Sequence, residues 1–182
     1  MATLNEFRSN FFGVRANRFL VEGNWPTGVQ SPELNNLYIY VKAADIPGST
    51  IGSIPINWQG RALKFSGDRV YADWAISVYD SSIPSNDLRA GFERWMEAMN
   101  GRNTNAINYN LTTDWVVRYS DTPGSTSSAL PTQAPSNFSK AVRLKNCFPT
   151  DIGVVSMNYD TPDTFADFTV QIAYDYWEPY AG

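Results

Sequence analysis

The sequence predicts a mainly β fold of the α+β class, an antiparallel barrel or sandwich with a single flanking α-helix. Three observations carry that prediction. Several stretches alternate apolar and polar residues with period two, the pattern of a strand with one face buried. One stretch, after Ser85, shifts to helical period, with Leu88, Phe92, Trp95, Met96 and Met99 on one face. No strand–helix–strand alternation occurs, so the strands are expected to pair antiparallel and to close or pack face to face.

Length and composition fit one domain spanning residues 1–182, large enough to bury a core. Hydrophobic residues make up 43% of the chain and aromatics 14%, a globular balance. The net charge of −4 argues against tight nucleic-acid binding, which needs cations to displace phosphate counterions. The single cysteine, Cys147, excludes an internal disulfide, points to a reducing compartment, and reads as a packed thiol inside Leu144–Phe148. No apolar run approaches the roughly 20 residues of a membrane span, and no signal-peptide core opens the chain. A soluble protein without a membrane anchor is expected.

In chain order, residues 1–17 form a polar N-terminal arm whose Phe7, Phe11 and Phe12 are expected to dock on the body or on a neighbour. Phe19–Val21 reads as a short strand ended by Gly23 and Trp25-Pro26, and residues 27–36 as loop. Leu37–Val41 alternates Leu37, Ile39 and Val41 against Tyr38 and Tyr40, a strand pattern. Ile51–Ile56 is an irregular, edge-like passage, because prolines cannot donate to a ladder.

The stretch Arg61–Asp80 then reads as the central hairpin. Its arms are Arg61–Phe65 and Val70–Tyr79, reversing at Ser66-Gly67-Asp68, where Gly67 supplies backbone freedom and Asp68 bonds locally. Val70, Ala72, Trp74, Ile76 and Val78 share the apolar face. The helix is expected over about residues 86–100, capped by Ser85, with Asp87 in its first turn and Gly101 as its stop. Trp74, Phe92 and Trp95 are assigned to the core.

Beyond the helix, Asp114–Tyr119 and Lys140–Phe148 read as strands around residues 120–139, a Ser/Thr/Pro/Gly-rich exposed insertion loop. Pro149-Thr150-Asp151 turns into a strand from Ile152 to Tyr159. The last strand sets Phe168, Val170, Ile172, Tyr174 and Tyr176 against Asp167, Thr169, Gln171, Ala173 and Asp175.

The chemistry is sparse. With no histidine, His-dependent triads and the commonest metal ligand are gone, and no phosphate loop, dinucleotide fingerprint or paired-cysteine motif is present. Acidic residues such as Asp68, Asp73, Asp167 and Asp175 exist to be paired as in glycosidases, but nothing in their spacing sets a separation. No enzyme, no cofactor and no metal site is expected.

The run from Ala43 to Asp80 carries Ile46-Pro47-Gly48, Ile54-Pro55, Gly60-Arg61, Gly67-Asp68-Arg69 and Asp73-Trp74. Phe92 and Trp95 follow on the helix, then Cys147-Phe148-Pro149-Thr150 and the closing Ala173-Tyr174-Asp175-Tyr176-Trp177-Glu178. Phe7-Arg8-Ser9-Asn10 and Asn17-Arg18-Phe19 stand near the start. In this order, over nearly the whole chain, these motifs resemble the tail tube proteins of T4-like contractile-tailed bacteriophages. Residues 27–36 and 120–139 depart from that pattern and read as insertions.

The resemblance implies a structural virion protein of the phage tail, assembled in the host cytoplasm. Six copies would form a ring, and rings would stack into a hollow inner tube that pierces the host envelope and conducts DNA without binding it specifically. The implied partners are further copies of itself, the tail sheath, the baseplate tube initiator, the tail terminator and the tape measure protein. On that reading, alternation assigns Asp73, Ser77, Asp167, Thr169 and Gln171 to the lumen. The hairpin turn Gly67, Asp68 and Arg69, with Phe7, Phe11 and Phe12 of the arm, is expected at contacts between subunits or rings. The inner tube of a tailocin or type VI secretion device, and a monomeric glycan-binding β-sandwich using exposed aromatic rings, remain as alternatives.

Overall fold

The computed structural model describes residues 4, 14, 16–29, 37–104, 107–121, 138–160 and 163–180. Its elements are β1 (Phe19–Gly23), α1 (Leu37–Tyr40), β2 (Val41–Ala44), β3 (Thr50–Trp58), β4 (Arg61–Val70) and β5 (Trp74–Tyr79). A 3₁₀ turn at Pro84–Asn86 leads into α2 (Leu88–Met99), followed by β6 (Thr113–Asp121), β7 (Phe138–Ile152), β8 (Asp167–Ala173) and β9 (Tyr176–Pro179).

Among the described residues, seven of the nine strands join in the order β1-β6-β7-β8-β5-β2, with β9 also on β7, and every pairing is antiparallel. The 15-residue β7 belongs to two sheets. Its first part pairs with β6 and β9, and its last residues, Phe148–Ile152, pair with β8. Asn146, at φ 57°, marks the point where the strand changes sheet. Two layers follow: β1, β6, β9 and the start of β7 in one, β2, β5, β8 and the end of β7 in the other.

The core lies between these layers and under α2. In β5 and β8 the alternation works as the sequence predicts: Trp74, Ile76 and Val78, and Phe168, Val170 and Ile172, are all buried. Helix α2 buries Leu88, Phe92 and Trp95 completely. Its aromatics enter a cluster with Trp25, Trp74 and Trp115, with Trp25 and Phe92 ring centroids 5.0 Å apart and Trp74 and Trp115 6.1 Å apart. A buried indole N–H needs an acceptor. Trp95 donates to the Leu111 carbonyl at 2.7 Å and Trp74 to the Asp45 carbonyl at 2.6 Å. The core assignment of Trp74, Phe92 and Trp95 therefore agrees with the structure.

Several element boundaries differ from the sequence reading. Ser66-Gly67-Asp68 is not a turn: β4 runs straight through it and pairs with β3. The reversal is instead at Gln59-Gly60, with φ of 46° and 77°, between the paired residues Trp58 and Arg61. Two consecutive positive φ values suit a two-residue hairpin because their twist matches that of the strands. Between Ile51↔Arg69 and Ser53↔Ser66, Gly52 alone faces Gly67 and Asp68, a β-bulge. A Cβ on Gly67 would stand 3.2 Å from the Gly52 carbonyl oxygen, so glycine permits this close approach. Ile51–Ile56 accordingly lies within β3 and is irregular at the Gly52 bulge, and among the described residues β3 has one neighbour, the edge-like setting that the missing N–H of Pro55 suits.

Leu37–Tyr40 forms a single helical turn, and only Val41 onward is strand. Val70 and Ala72 are exposed and do not share the buried face of β5. Asp87, not Ser85, caps α2, accepting from the Ala90 N–H at 2.9 Å, and the helix covers 88–99. Cys147–Thr150 lies within β7, which ends at Ile152, and residues 153–158 have no regular structure. The last strand is two: β8 ends at Ala173, and β9 crosses to β7. Most of the 120–139 loop and of the 1–17 arm, including Phe7, Phe11 and Phe12, lies outside the described residues.

Candidate assembly interface

Two surfaces stand apart from the core. The first is the β3–β4 hairpin, a sheet of its own whose strands, among the described residues, pair only with each other. Every residue of β3 is exposed, and every residue of β4 except Gly67. Opposed residues of an antiparallel pair share a face. Ile54 faces Phe65, Ile56 faces Leu63, and Trp58 faces Arg61. One side is thus a stripe of Ile54, Ile56, Trp58, Leu63 and Phe65, with Trp58 65% and Phe65 53% exposed. The reverse side carries Ser53, Pro55, Asn57, Ala62, Lys64 and Ser66. An isolated two-stranded hairpin is marginal in water, and an exposed apolar stripe is a surface that binding partners commonly cover. Gly67, Asp68 and Arg69 lie in this element, at the bulge near its base and away from its tip.

The second surface is the outer face of the layer made by β2, β5, β8 and the end of β7. Ser77 pairs with Thr169 and Ala43, Gln171 with Ala75 and Asp151, and Asp167 with Tyr79. Four residues assigned to one polar face by alternation, Ser77, Asp167, Thr169 and Gln171, are therefore brought together. Asp73 is not on the strand; it is exposed just before β5 begins. Sequence reasoning did not single out Lys42, which stands beside Val41 at a shift of register between β2 and β5. Its ammonium reaches the Asp167 carboxylate at 2.9 Å and lies 5.7 Å from the Tyr79 ring centre. The hydrogen bond to Asp167 raises the Lys42 ammonium above its usual range, outweighing the effect of burial.

This layer ends in two strand edges without a partner among the described residues: β2, paired only with β5, and the Phe148–Ile152 part of β7, paired only with β8. Unpaired edges are templates for further strands. Beneath the sheet, the Cys147 thiol is buried and pushed up to about 12, chiefly by desolvation, so it is a packing group. Trp74, Trp95 and Trp115 are buried too, which removes them from any exposed sugar-binding platform.

Chains in structures of contractile injection systems share this fold. The anti-feeding prophage cap structure aligns with a TM-score of 0.61 at 15% identity, over all of both chains. A chain of the extended sheath–tube complex of an extracellular contractile injection system aligns at 0.59 and 14%, also over both full lengths. The chain belongs to the phage tail tube protein family, whose model matches residues 4–179. Among its relatives, tail tube protein gp19 of Enterobacteria phage T4 is 24% identical over 147 residues, 79% of this chain and 82% of that protein. The tail tube protein of Serratia phage KSP90 is 25% identical over 182 residues, 96% of this chain and 95% of that one. The role of the chain is structural, as a tail tube component, and the glycan-binding alternative is not favoured.

Proposed function

We propose that six copies of this chain close into a ring, joining the β2 edge of one to the end of β7 in the next, and that rings stack into the hollow inner tube of a contractile phage tail. The observation that carries this is the hairpin, whose apolar stripe is exposed and, among the described residues, meets no other strand of the body. A second copy is the cover that a repeating tube supplies. Hairpin and receiving surface differ, so the contact is heterologous and propagates without closing. Gly67, Asp68 and Arg69 would contact a neighbour at the hairpin base, and Phe7, Phe11 and Phe12 would do so from the N-terminal arm.

The polar layer with Ser77, Asp167, Thr169 and Gln171 would line the lumen, with Asp73 at its border. On its strands the only cation is Lys42, while Asp151 and Asp167 lie on the face and the exposed Asp45 and Asp73 adjoin it. A surface of that sign lets DNA phosphates pass without adhering. The tube would work without catalysis, cofactor or membrane anchor, inside a sheath, on a baseplate initiator, under a terminator and around a tape measure protein. Assembly would take place in the host cytoplasm, and the 120–139 insertion would remain an exposed loop of a single 1–182 domain.

Negative-stain electron microscopy of the purified chain over a concentration series, with and without baseplate initiator, tests the reading. Sixfold rings or hollow tubes are expected from the wild type. Ile56→Lys with Leu63→Lys should leave the folded body intact and the particles unassembled. Tubes of normal length from that variant would overturn the hairpin's role, and a monomer that the initiator cannot recruit would overturn the ring.

A further inference from the structure

We propose that Asp167 is a charge-masking residue: by holding Lys42 in an ion pair across the polar layer, it denies a passing polyanion the one cation on these strands. The inference rests on the reading of that layer as the lumen wall for its biological meaning, but the masking itself is a property of the single chain. Three strands build the arrangement. Tyr79 of β5 stands in register with Asp167 of β8, and Lys42 sits at the register shift of β2 against β5. Its ammonium therefore lies 5.7 Å from the Tyr79 ring centre and 2.9 Å from Asp167 Oδ2.

An exposed ion pair contributes little to stability, and both partners keep about a third or more of their side-chain surface in water. Stability is thus a poor reason for the arrangement. Its effect on the field is larger. A lysine free to meet phosphate releases a condensed counterion and adds about 0.9 to the salt slope of duplex binding. Sixfold repetition would turn one free lysine into a cationic ring around the path. The Asp167 carboxylate is held on a strand at the required distance, so a phosphate must displace a partner already in place.

The test is binding of a short duplex DNA to the purified, unassembled chain at several salt concentrations. Asp167→Asn is expected to bind severalfold more tightly than wild type at low salt, with a slope steeper by about 0.9. Asp151→Asn, which removes the same charge from the same face without freeing a lysine, should not steepen the slope. Lys42→Gln with Asp167→Asn should return to wild-type binding, and so should the swapped pair Lys42→Asp with Asp167→Lys. No gain in Asp167→Asn, or an equal gain in Asp151→Asn, would overturn the masking. DNA ejection by phage carrying Asp167→Asn judges the lumen reading separately. Slowed ejection supports it, whereas wild-type ejection from a variant with the binding gain would refute the wall assignment and leave the masking standing.

Discussion

At the scale of single residues, the fold depends on a few large side chains with no room to move. Trp115 is fully buried, between Trp74 at 6.1 Å and Trp95 at 6.4 Å, and its ring fills the space a Cβ on Gly23 would need. Trp115→Ala should cost about 3–5 kcal/mol, because the cavity is walled by other rigid rings, and thermal unfolding would measure it. Asp114 behaves differently. Burial pushes its carboxyl up, but the Lys145 ammonium at 2.6 Å and the Asn146 N–H more than offset that, holding it below the usual range. The hydrogen bond to Asp114 raises Lys145 in turn. The carboxylate's contribution is present above its unfolded pKa and is lost as pH falls through the lower folded value. The ammonium's contribution is present below its unfolded pKa and is lost as pH rises past the higher folded one. Asp114→Asn should therefore lower the melting temperature slightly at pH 7 and leave it unchanged only in acid below the depressed folded pKa, where the wild-type carboxyl is also protonated. A deficit that persists in acid would assign the effect to packing.

At the scale of elements, helix α2 owes its start to one side chain. Asp87→Ala removes the acceptor of the Ala90 N–H and should cost about 1 kcal/mol, measurable by denaturant midpoint, while the 3₁₀ turn before it keeps the helix in place. The helix was legible because Leu88, Phe92 and Trp95 repeat at its period and nothing else nearby competes. Its cap was less legible: Ser85 and Asp87 are both good caps, and the 3₁₀ turn at Pro84–Asn86 decides which one stands at the end. The hairpin turn was misplaced for a similar reason. Ser66-Gly67-Asp68 and Gln59-Gly60 both carry turn residues, and glycine serves a bulge as readily as a reversal. Register decides, since a turn at Gln59-Gly60 aligns Ile54, Ile56 and Trp58 with Phe65, Leu63 and Arg61 and puts the apolar residues on one side.

At the scale of the whole molecule, body and hairpin answer to different demands. The body closes its own core, whereas among the described residues the hairpin meets none of the other strands in a sheet. Replacing residues 51–69 with a short Gly/Ser link should leave cooperative unfolding and the buried tryptophan fluorescence nearly unchanged, while the chain stays monomeric in sedimentation. Loss of cooperative unfolding would mean the hairpin belongs to the folding unit. The long β7 couples the two layers, so strain at one edge of the polar sheet reaches the other layer through a continuous backbone.

The sequence by itself determined the class of the fold, the helix, the buried faces of β5 and β8 and the family, because each rests on local periodicity or on short ordered motifs. Where two local readings were equally good, only the tertiary structure decided. Leu37–Tyr40 alternates like a strand yet folds as a helical turn, and β7 runs on through Pro149 because β8 is there to pair with it. The mask on Lys42 was equally out of reach of the sequence. It joins residues 125 positions apart, and such a contact exists only once β2, β5 and β8 lie side by side in a fixed register.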